Sequence, residues 1–304
     1  MFESFVKKLR GKRLITLETT PPHSPRFDPV IDKIESEGLE KLVDGFTTTD
    51  NPLARLKYNS VLAALRLQNR FGKPAIATMS MRDRNKLALQ SDLLGANEFD
   101  VRMVLALTGD SAKISDQPST KGVFEGDSTL LLDIIKCLNA GIDYGGKPLK
   151  EKPKRIYPLA VSNAYAKNYK TLAKKFHKKI DHGALAIITQ PVFSAENAKN
   201  LLEIFYETRS AFSNEKAKCE LILGYFPITK LRTAQFLHSH VPGINVPSKW
   251  IDALYKANKK SQKEEFETGF ELSRELFSTL LEIHPKIHIM TANRFDLAKK
   301  ILDS

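Results

Sequence analysis

Cysteine is scarce in this chain, which has only Cys137 and Cys219 among its 304 residues. These two positions do not follow the spacing of metal ligands, and such scarcity is typical of proteins from the reducing cytosol. No apolar run approaches the roughly 20 residues that a membrane-spanning helix needs. Residues 1–5 also lack the apolar core of a signal peptide. We therefore expect a cytoplasmic protein with no membrane partner.

Acidic residues are outnumbered, with 35 Asp and Glu against 47 Lys and Arg, which gives a formal net charge of +12. The basic residues form clusters at residues 147–155, 174–179 and 259–263. The sequence contains no zinc-finger spacing, no aromatic and basic RNA-binding signature and no long basic tail, so nucleic acid is the less favoured partner. The charge instead favours an anionic small metabolite as the ligand.

Short apolar runs rich in β-branched residues alternate with segments of helical periodicity from end to end. The predicted strands lie at residues 14–17, 45–49, 74–79, 101–107, 156–161, 184–188, 221–226 and 287–290. The predicted helices that follow them lie at residues 29–39, 53–70, 84–94, 128–138, 169–180, 195–212, 231–238 and 295–302. Eight β–α units in this order predict a (β/α)8 TIM barrel that occupies residues 1–304 as a single domain. A doubly wound open sheet is the alternative, although no GxGxxG motif follows the first strand.

Two segments interrupt this alternation. Residues 139–154 are rich in Gly and Lys and predict an exposed loop. Residues 241–250, together with a predicted helix at residues 264–283, form an insertion between the seventh and eighth strands.

Polar residues follow the predicted strands, and in a parallel barrel such residues converge on one mouth. They are Glu18, Thr49, Asp50, Thr78, Ser80, Asp110, Ser162, Asn163, Thr189, Gln190, Thr229, Thr291 and Asn293. This set has no Cys/His cluster for a metal and no lysine for Schiff-base chemistry, so no metal site is expected. Glu18 and Asp110 are the candidate catalytic acids, although each carboxylate has a structural alternative in a turn. Gly109 allows a ligand to approach the backbone closely.

Nine short motifs carry a resemblance to a known family. They are Leu17-Glu18 with Pro21-Pro22, Thr49-Asp50-Asn51-Pro52, Arg82-Asp83-Arg84-Asn85, Leu105 to Asp110, Gly183-Ala184, Ile188-Thr189-Gln190, Gly224-Tyr225-Phe226-Pro227, Val246-Pro247 and Thr291-Ala292-Asn293-Arg294. In this order the chain resembles the methylenetetrahydrofolate reductase family over residues 14–302.

The resemblance implies a flavoenzyme that reduces 5,10-methylenetetrahydrofolate to 5-methyltetrahydrofolate, in a homo-oligomer. It implies FAD as the cofactor, with FMN as the alternative, and a reduced nicotinamide or another electron donor. Glu18 matches the acid that protonates the folate, and Asp110 lies near both flavin and pterin. The implied cofactor residues are Thr49, Thr78, Thr108, Gly109, Asp110, Asn163 and Lys179, and the implied substrate residues are Glu18, Asp110, Gln190 and Leu231.

Five positions differ from residues found in many family members, several of them cofactor contacts: Ile76, Thr108, Asn163, Leu172 and Met290. A non-catalytic folate-binding or regulatory paralogue that acts with a partner protein is therefore the alternative function. Glu18, Asp110 and Gln190 favour the enzyme.

Overall fold

Eight parallel strands close into a barrel in the computed structural model, which describes residues 1–11, 13–241 and 243–304. Each strand pairs with the next, and the last pairs with the first. The strands are β1 (Leu14–Thr19), β2 (Gly45–Thr48), β3 (Ala75–Ser80), β4 (Met103–Leu107), β5 (Tyr157–Ser162), β6 (Ala186–Pro191), β7 (Glu220–Tyr225) and β8 (Lys286–Ile289). Helices lie between consecutive strands, so the predicted (β/α)8 TIM barrel is confirmed.

The helices of the described residues are α1 (Phe2–Arg10), α2 (Asp28–Ser36), α3 (Leu39–Leu42), α4 (Ser60–Phe71), α5 (Lys86–Glu98), α6 (Ser128–Ala140), α7 (Tyr169–Asp181), α8 (Ala195–Ser210), α9 (Leu231–His240), α10 (Ser248–Asn258), α11 (Gln262–Ile283) and α12 (Phe295–Leu302). Short polar side chains begin several of them. Asn59, Asn85 and Asp127 each accept a hydrogen bond from a backbone N–H in the first turn of the helix that follows.

Two apolar layers hold the barrel together. The outward faces of the strands pack against the helices, and the inward faces form a separate cluster that includes Leu14, Met103 and Tyr157. Helix α1, which the sequence analysis did not predict, contributes Phe2 and Phe5 to this inner cluster at the amino ends of the strands. The helix therefore packs across that end of the barrel.

The structure corrects several predicted boundaries. The helix predicted at residues 53–70 begins at Ser60, because Asn51, Leu53 and Ala54 have positive φ angles and form an irregular turn. The helix predicted at residues 29–39 is interrupted at Gly38, whose φ is +64°. The insertion between β7 and β8 is present and contains α10 as well as α11. Pro242, which belongs to that insertion, lies outside the described residues.

Residues 139–154 end α6 and continue as a mostly irregular connection to β5, as predicted. Within the described ranges, no helix has both the length and the apolar character that crossing a membrane requires.

Candidate active site

A cavity of about 330 Å³ opens at the carboxyl ends of β4, β5 and β6. The predicted site residues that line it are Thr108, Gly109, Asp110, Asn163, Lys179 and Gln190. Asp127, Ser128 and Ser162 complete its polar wall, and Lys175 and Lys178 lie at its rim. The barrel thus brings together residues that are up to 82 positions apart, between Thr108 and Gln190.

Glu18 lies on the inner face of β1, and its side chain is 24% exposed. One carboxylate oxygen is 3.9 Å from Nε2 of His288, which is almost fully buried in β8. Nδ1 of the same imidazole is 2.8 Å from the Thr16 hydroxyl, and Nε2 is 3.4 Å from the Thr47 hydroxyl. Glu18 therefore stands on a polar layer that Thr16, Thr47 and His288 form inside the barrel.

His288 is not among the site residues predicted from the sequence. Its signal is the alternation in Lys286-Ile287-His288-Ile289, where the polar residues occupy every second position of a strand. Successive side chains on a strand point to opposite faces, so this pattern puts His288 on the face opposite Ile287 and Ile289. Both isoleucines belong to the outer apolar layer, which leaves His288 facing inward.

Buried polar atoms without a hydrogen-bond partner are concentrated at the mouth. Among the described residues, eight buried side-chain atoms have no partner, and five of them follow or end a strand. These five are Thr49 Oγ1, Ser80 Oγ, Ser162 Oγ, Gln190 Oε1 and Thr291 Oγ1. Leaving such atoms unpaired costs about 1–3 kcal/mol each, so their clustering is typical of a site that a polar ligand completes.

Two threonines predicted to contact a cofactor lie at neighbouring strand ends. Thr49 continues the edge of β2, and its backbone N–H donates to the Thr19 carbonyl at 3.1 Å. Thr78 is buried near the end of β3, opposite Leu105 of β4, and its carbonyl accepts from the Ser60 hydroxyl. Neither residue lines the 330 Å³ cavity.

Asp110 is exposed and has a structural partner. Its Oδ2 accepts a hydrogen bond of 2.7 Å from the backbone N–H of Leu53. This bond holds the strained turn after β2, which the buried Arg82 also holds through the Asn51 carbonyl at 2.9 Å. Thr108, two residues earlier, accepts from the backbone N–H of Ser128 at 3.2 Å. Asp110 therefore combines a position at the mouth with support of a neighbouring loop.

Asp50, which the sequence placed among the mouth residues, is turned into the structure. Its side chain is 2% exposed and pairs with Arg84 at 2.6 Å, while Oδ2 also accepts from the Ser80 N–H at 2.9 Å. Arg84 pairs with Asp92 of α5 as well. Asp50 thus joins the ends of β2 and β3 instead of facing a ligand.

Lys179 brings a partly buried positive charge to the cavity. Burial lowers the pKa of its ammonium group to about 8, and the nearby charges of Lys178 and Lys175 act in the same direction, whereas Asp127 opposes them. Its Nζ donates to the Ser128 hydroxyl. Burial also raises the pKa of Asp127, but hydrogen bonds from Lys178 and Thr129 outweigh that effect and hold it well below its usual value.

The insertion between β7 and β8 reaches the mouth at Gly243. A Cβ atom at this position would lie 2.0 Å from Asn163 Nδ2 and 2.6 Å from Gln190 Oε1, and the backbone φ is +86°. Only glycine combines this φ with such close contacts. The Gly243 carbonyl also accepts from the Tyr165 N–H at 3.0 Å, so the insertion covers the side of the mouth formed by β5 and β6.

Leu231 is not part of this cavity. It begins α9, and its N–H donates to the buried Glu265 of α11 at 2.7 Å. A second cavity, of about 590 Å³, lies there between the ends of β7 and β8, and its lining includes Lys230, Arg232 and Arg294. Leu231, like Glu18, Thr49 and Thr78, therefore lies outside the 330 Å³ cavity, and it lines a separate cavity that contains basic residues.

The positions that depart from the family pattern have different environments. Ile76 belongs to the inner apolar cluster and Leu172 to the outer one. Met290 packs beside Gly224, where a Cβ would lie 2.7 Å from its methyl group. Thr108 and Asn163 line the cavity. No group of three or more His, Cys, Asp and Glu side chains suited to a metal occurs among the described residues.

The family model for methylenetetrahydrofolate reductase matches residues 3–304, essentially the whole chain. The chain belongs to the methylenetetrahydrofolate reductase family. No match was found among curated proteins.

The solved structures that share the fold include two with known ligands. One is described as an uncharacterized protein from Clostridium thermocellum that binds two copies of 5-methyl-5,6,7,8-tetrahydrofolic acid. It has a TM-score of 0.65 and 16% identity over 99% of each chain. The other is an F420-dependent secondary alcohol dehydrogenase in complex with an F420-acetone adduct, with a TM-score of 0.60, 11% identity, and coverage of 96% of this chain and 98% of that one. At these identities the likeness shows the barrel fold alone.

Proposed function

We propose that this protein reduces 5,10-methylenetetrahydrofolate to 5-methyltetrahydrofolate, with a bound flavin and a reduced nicotinamide as electron donor. The observation that carries the proposal is the position of Glu18, a largely buried carboxyl group on the polar layer of the barrel, at the mouth of a chain that belongs to this family. The family's name and the oxidoreductase that shares its fold agree with a redox reaction.

The residues at the mouth fit a flavin in FAD or FMN. Its heterocycle carries hydrogen-bonding groups that match the unpaired Ser162 hydroxyl on the cavity wall. Its phosphate groups need cations, and Lys175 and Lys178 lie at the rim beside the partly buried Lys179. When bound, the flavin supplies the hydride.

Glu18 supplies the proton. Opening of the five-membered ring of the folate breaks a carbon–nitrogen bond, and the departing nitrogen needs a proton to leave as a neutral amine. Glu18 is the carboxyl group at the inner end of the mouth, where solvent reaches only about a quarter of its side chain. The Glu18 carboxylate that remains after the transfer lies near His288, whose Nε2 is 3.9 Å away in the structure.

The remaining polar groups bind and orient the folate. The Gln190 amide provides an acceptor on the cavity wall for the N–H groups of a pterin. The glutamate tail of a folate is anionic, and the cavity formed by Lys230, Arg232 and Arg294 offers it positive charge beside the mouth. The folate bound by the Clostridium thermocellum protein supports this use of the fold.

The decisive experiment compares the wild type with Glu18→Gln in the two half-reactions, followed separately under anaerobic conditions. The purified protein should show the visible absorption of a flavin. Glu18→Gln should slow folate reduction about 10²- to 10⁴-fold, because it removes the proton and keeps the shape of the side chain. Reduction of the flavin by the nicotinamide should remain within about twofold of wild type, since it precedes proton transfer.

The matched control is Glu203→Gln, which makes the same change on the exposed face of α8 and should leave both rates unchanged. Protein that neither releases flavin on denaturation nor retains added flavin contradicts the flavoenzyme proposal. If such protein still binds folate and does not reduce it with a reduced nicotinamide, the non-catalytic alternative is correct. An equal loss in both half-reactions means that Glu18 has a structural role.

A further inference from the structure

A hydrogen-bonded histidine lies beneath Glu18, and the proposed chemistry leaves it without a role. The imidazole of His288 is 2% exposed. The strand register places Thr16 directly opposite His288 and Thr47 directly opposite Glu18. The four side chains therefore form one inward-facing layer across β8, β1 and β2.

The surroundings of His288 select one tautomer. Thr16 is fully buried, and no acceptor other than Nδ1 of His288 lies within hydrogen-bonding distance of its hydroxyl among the described residues. A buried hydroxyl that failed to donate would carry the penalty of an unpaired polar group. The Thr16 hydroxyl therefore donates to Nδ1, and the ring proton resides on Nε2. Nε2 is the nitrogen that faces the Thr47 hydroxyl and the Glu18 carboxylate.

We propose that His288 is a positioning residue for Glu18, acting through an Nε2–H donor whose tautomer Thr16 sets. This inference rests on the proposed function, because it concerns the same proton transfer. Nε2 is 3.9 Å from the Glu18 carboxylate, which is beyond a hydrogen bond, and it faces the Thr47 hydroxyl at 3.4 Å. His288 therefore acts on Glu18 through the positive end of its N–H dipole and through packing. It orients the acid before transfer and stabilises the carboxylate that remains when the proton has moved to the folate nitrogen. The proton lost by Glu18 is then replaced from solvent at the mouth.

Three other charged groups near this layer form a network of their own. Lys286 lies two residues before His288 on the same face of β8, and its ammonium group is 2.6 Å from Glu220 of β7, which also pairs with Arg209 of α8 at 3.2 Å. Both cations are held by Glu220, and Glu18 is the charged group that lies 3.9 Å from the imidazole. On β2 the neighbour is the uncharged Thr47.

A first test needs neither flavin nor turnover. In ¹⁵N NMR spectra of the protein, His288 should show the Nε2–H tautomer, and Glu18→Gln should shift its Nε2 resonance. Glu203→Gln should leave that resonance unchanged. An Nδ1–H tautomer, or an Nε2 resonance that ignores Glu18→Gln, overturns the proposal, whether or not the protein is a reductase.

A second test uses the folate half-reaction. His288→Leu should lower its limiting rate about 10- to 100-fold, the size expected when a reacting group is displaced by about an ångström. His288→Gln, which keeps an N–H donor near the Nε2 position, should recover most of the rate. Flavin reduction should be unchanged in both variants.

Equal losses in both half-reactions, or no rescue by His288→Gln, contradict a positioning role. If Glu18→Gln itself has normal folate reduction, the proposed function fails at Glu18. The NMR result still decides whether the two side chains are coupled, so the two failures are distinguishable.

Discussion

Replacing Lys179 by methionine should make the free protein more stable and weaken its binding of an anionic cofactor. Burial lowers the pKa of this lysine from 10.5 to about 8, so its charged form is disfavoured in the fold at neutral pH. The difference corresponds to roughly 3 kcal/mol. The variant also loses the hydrogen bond to Ser128, which lowers this gain in stability by about 1 kcal/mol. The partial exposure of Lys179 lowers it further, because solvent screens part of the penalty. We expect Lys179→Met to be about 1–2 kcal/mol more stable at pH 7.

The difference in stability between Lys179→Met and the wild type should depend on pH. Between about pH 8 and pH 10.5 the unfolded chain binds more protons at Lys179 than the folded chain does. The stability of the wild type contributed by this group therefore rises with pH in that window, and the advantage of the variant shrinks. Urea denaturation at several pH values, followed through the single tryptophan, Trp250, measures both stabilities.

Lys178→Met is the matched control on the same helix. The Lys178 side chain is 51% exposed, and its ion pair with Asp127 spans 2.6 Å at the surface. Such pairs contribute between 0 and about 1 kcal/mol, so this variant should be slightly less stable. If Lys179→Met proves less stable than wild type by a margin that does not vary with pH, the reasoning about its burial is wrong.

The same lysine should govern cofactor binding. Flavin affinity should fall as pH rises above about 8, because the free protein loses the Lys179 charge there. In Lys179→Met this dependence should disappear, and the affinity at pH 7 should drop at least tenfold, equivalent to about 1.4 kcal/mol. Titration of flavin-free protein with flavin, followed by flavin fluorescence, measures both effects. If the affinity of the variant and of the wild type depends on pH in the same way, Lys179 does not bind the cofactor.

Three further predictions follow from the site. Asp50→Asn should destabilise the fold by about 3–5 kcal/mol in urea denaturation, because Arg84, whose side chain is 12% exposed, loses its buried carboxylate and keeps only the more exposed Asp92. Asp92→Asn should lose less than about 1 kcal/mol. Asp110→Asn should keep its bond to the loop after β2, and hence its stability, while the potential of the bound flavin rises through loss of a negative charge; an unchanged potential with normal turnover would place Asp110 away from the cofactor. Folate affinity should increase with the length of the glutamate tail at low salt, and this dependence should disappear at high salt because attraction at the surface is screened over about 8–10 Å. Arg294→Ala should also remove the dependence on tail length. Tight, sequence-dependent oligonucleotide binding would refute this use of the charge.

The barrel could be predicted from the sequence. Apolar β-branched runs and helical periodicity are local properties, and eight repeats of the pair favoured a closed barrel over a doubly wound open sheet. The polar residues that end the strands follow from the same pattern, which is why Glu18, Asp110 and Gln190 are recognisable as strand-end residues in the sequence. The irregular turn at Asn51 and the helix break at Gly38 could not be predicted, because a single positive φ angle does not change the hydrophobic periodicity of the sequence.

The partner of each buried polar side chain depends on the tertiary structure. Closure of the barrel joins β8 to β1 and brings His288 against Thr16, 272 positions away, a pairing that no local pattern contains. The same closure turns Asp50 toward Arg84 and leaves Leu231 in a separate basic cavity. Hydrogen bonds and desolvation act over a few ångströms in space, so the partner of each buried polar group is settled by strand register and loop packing.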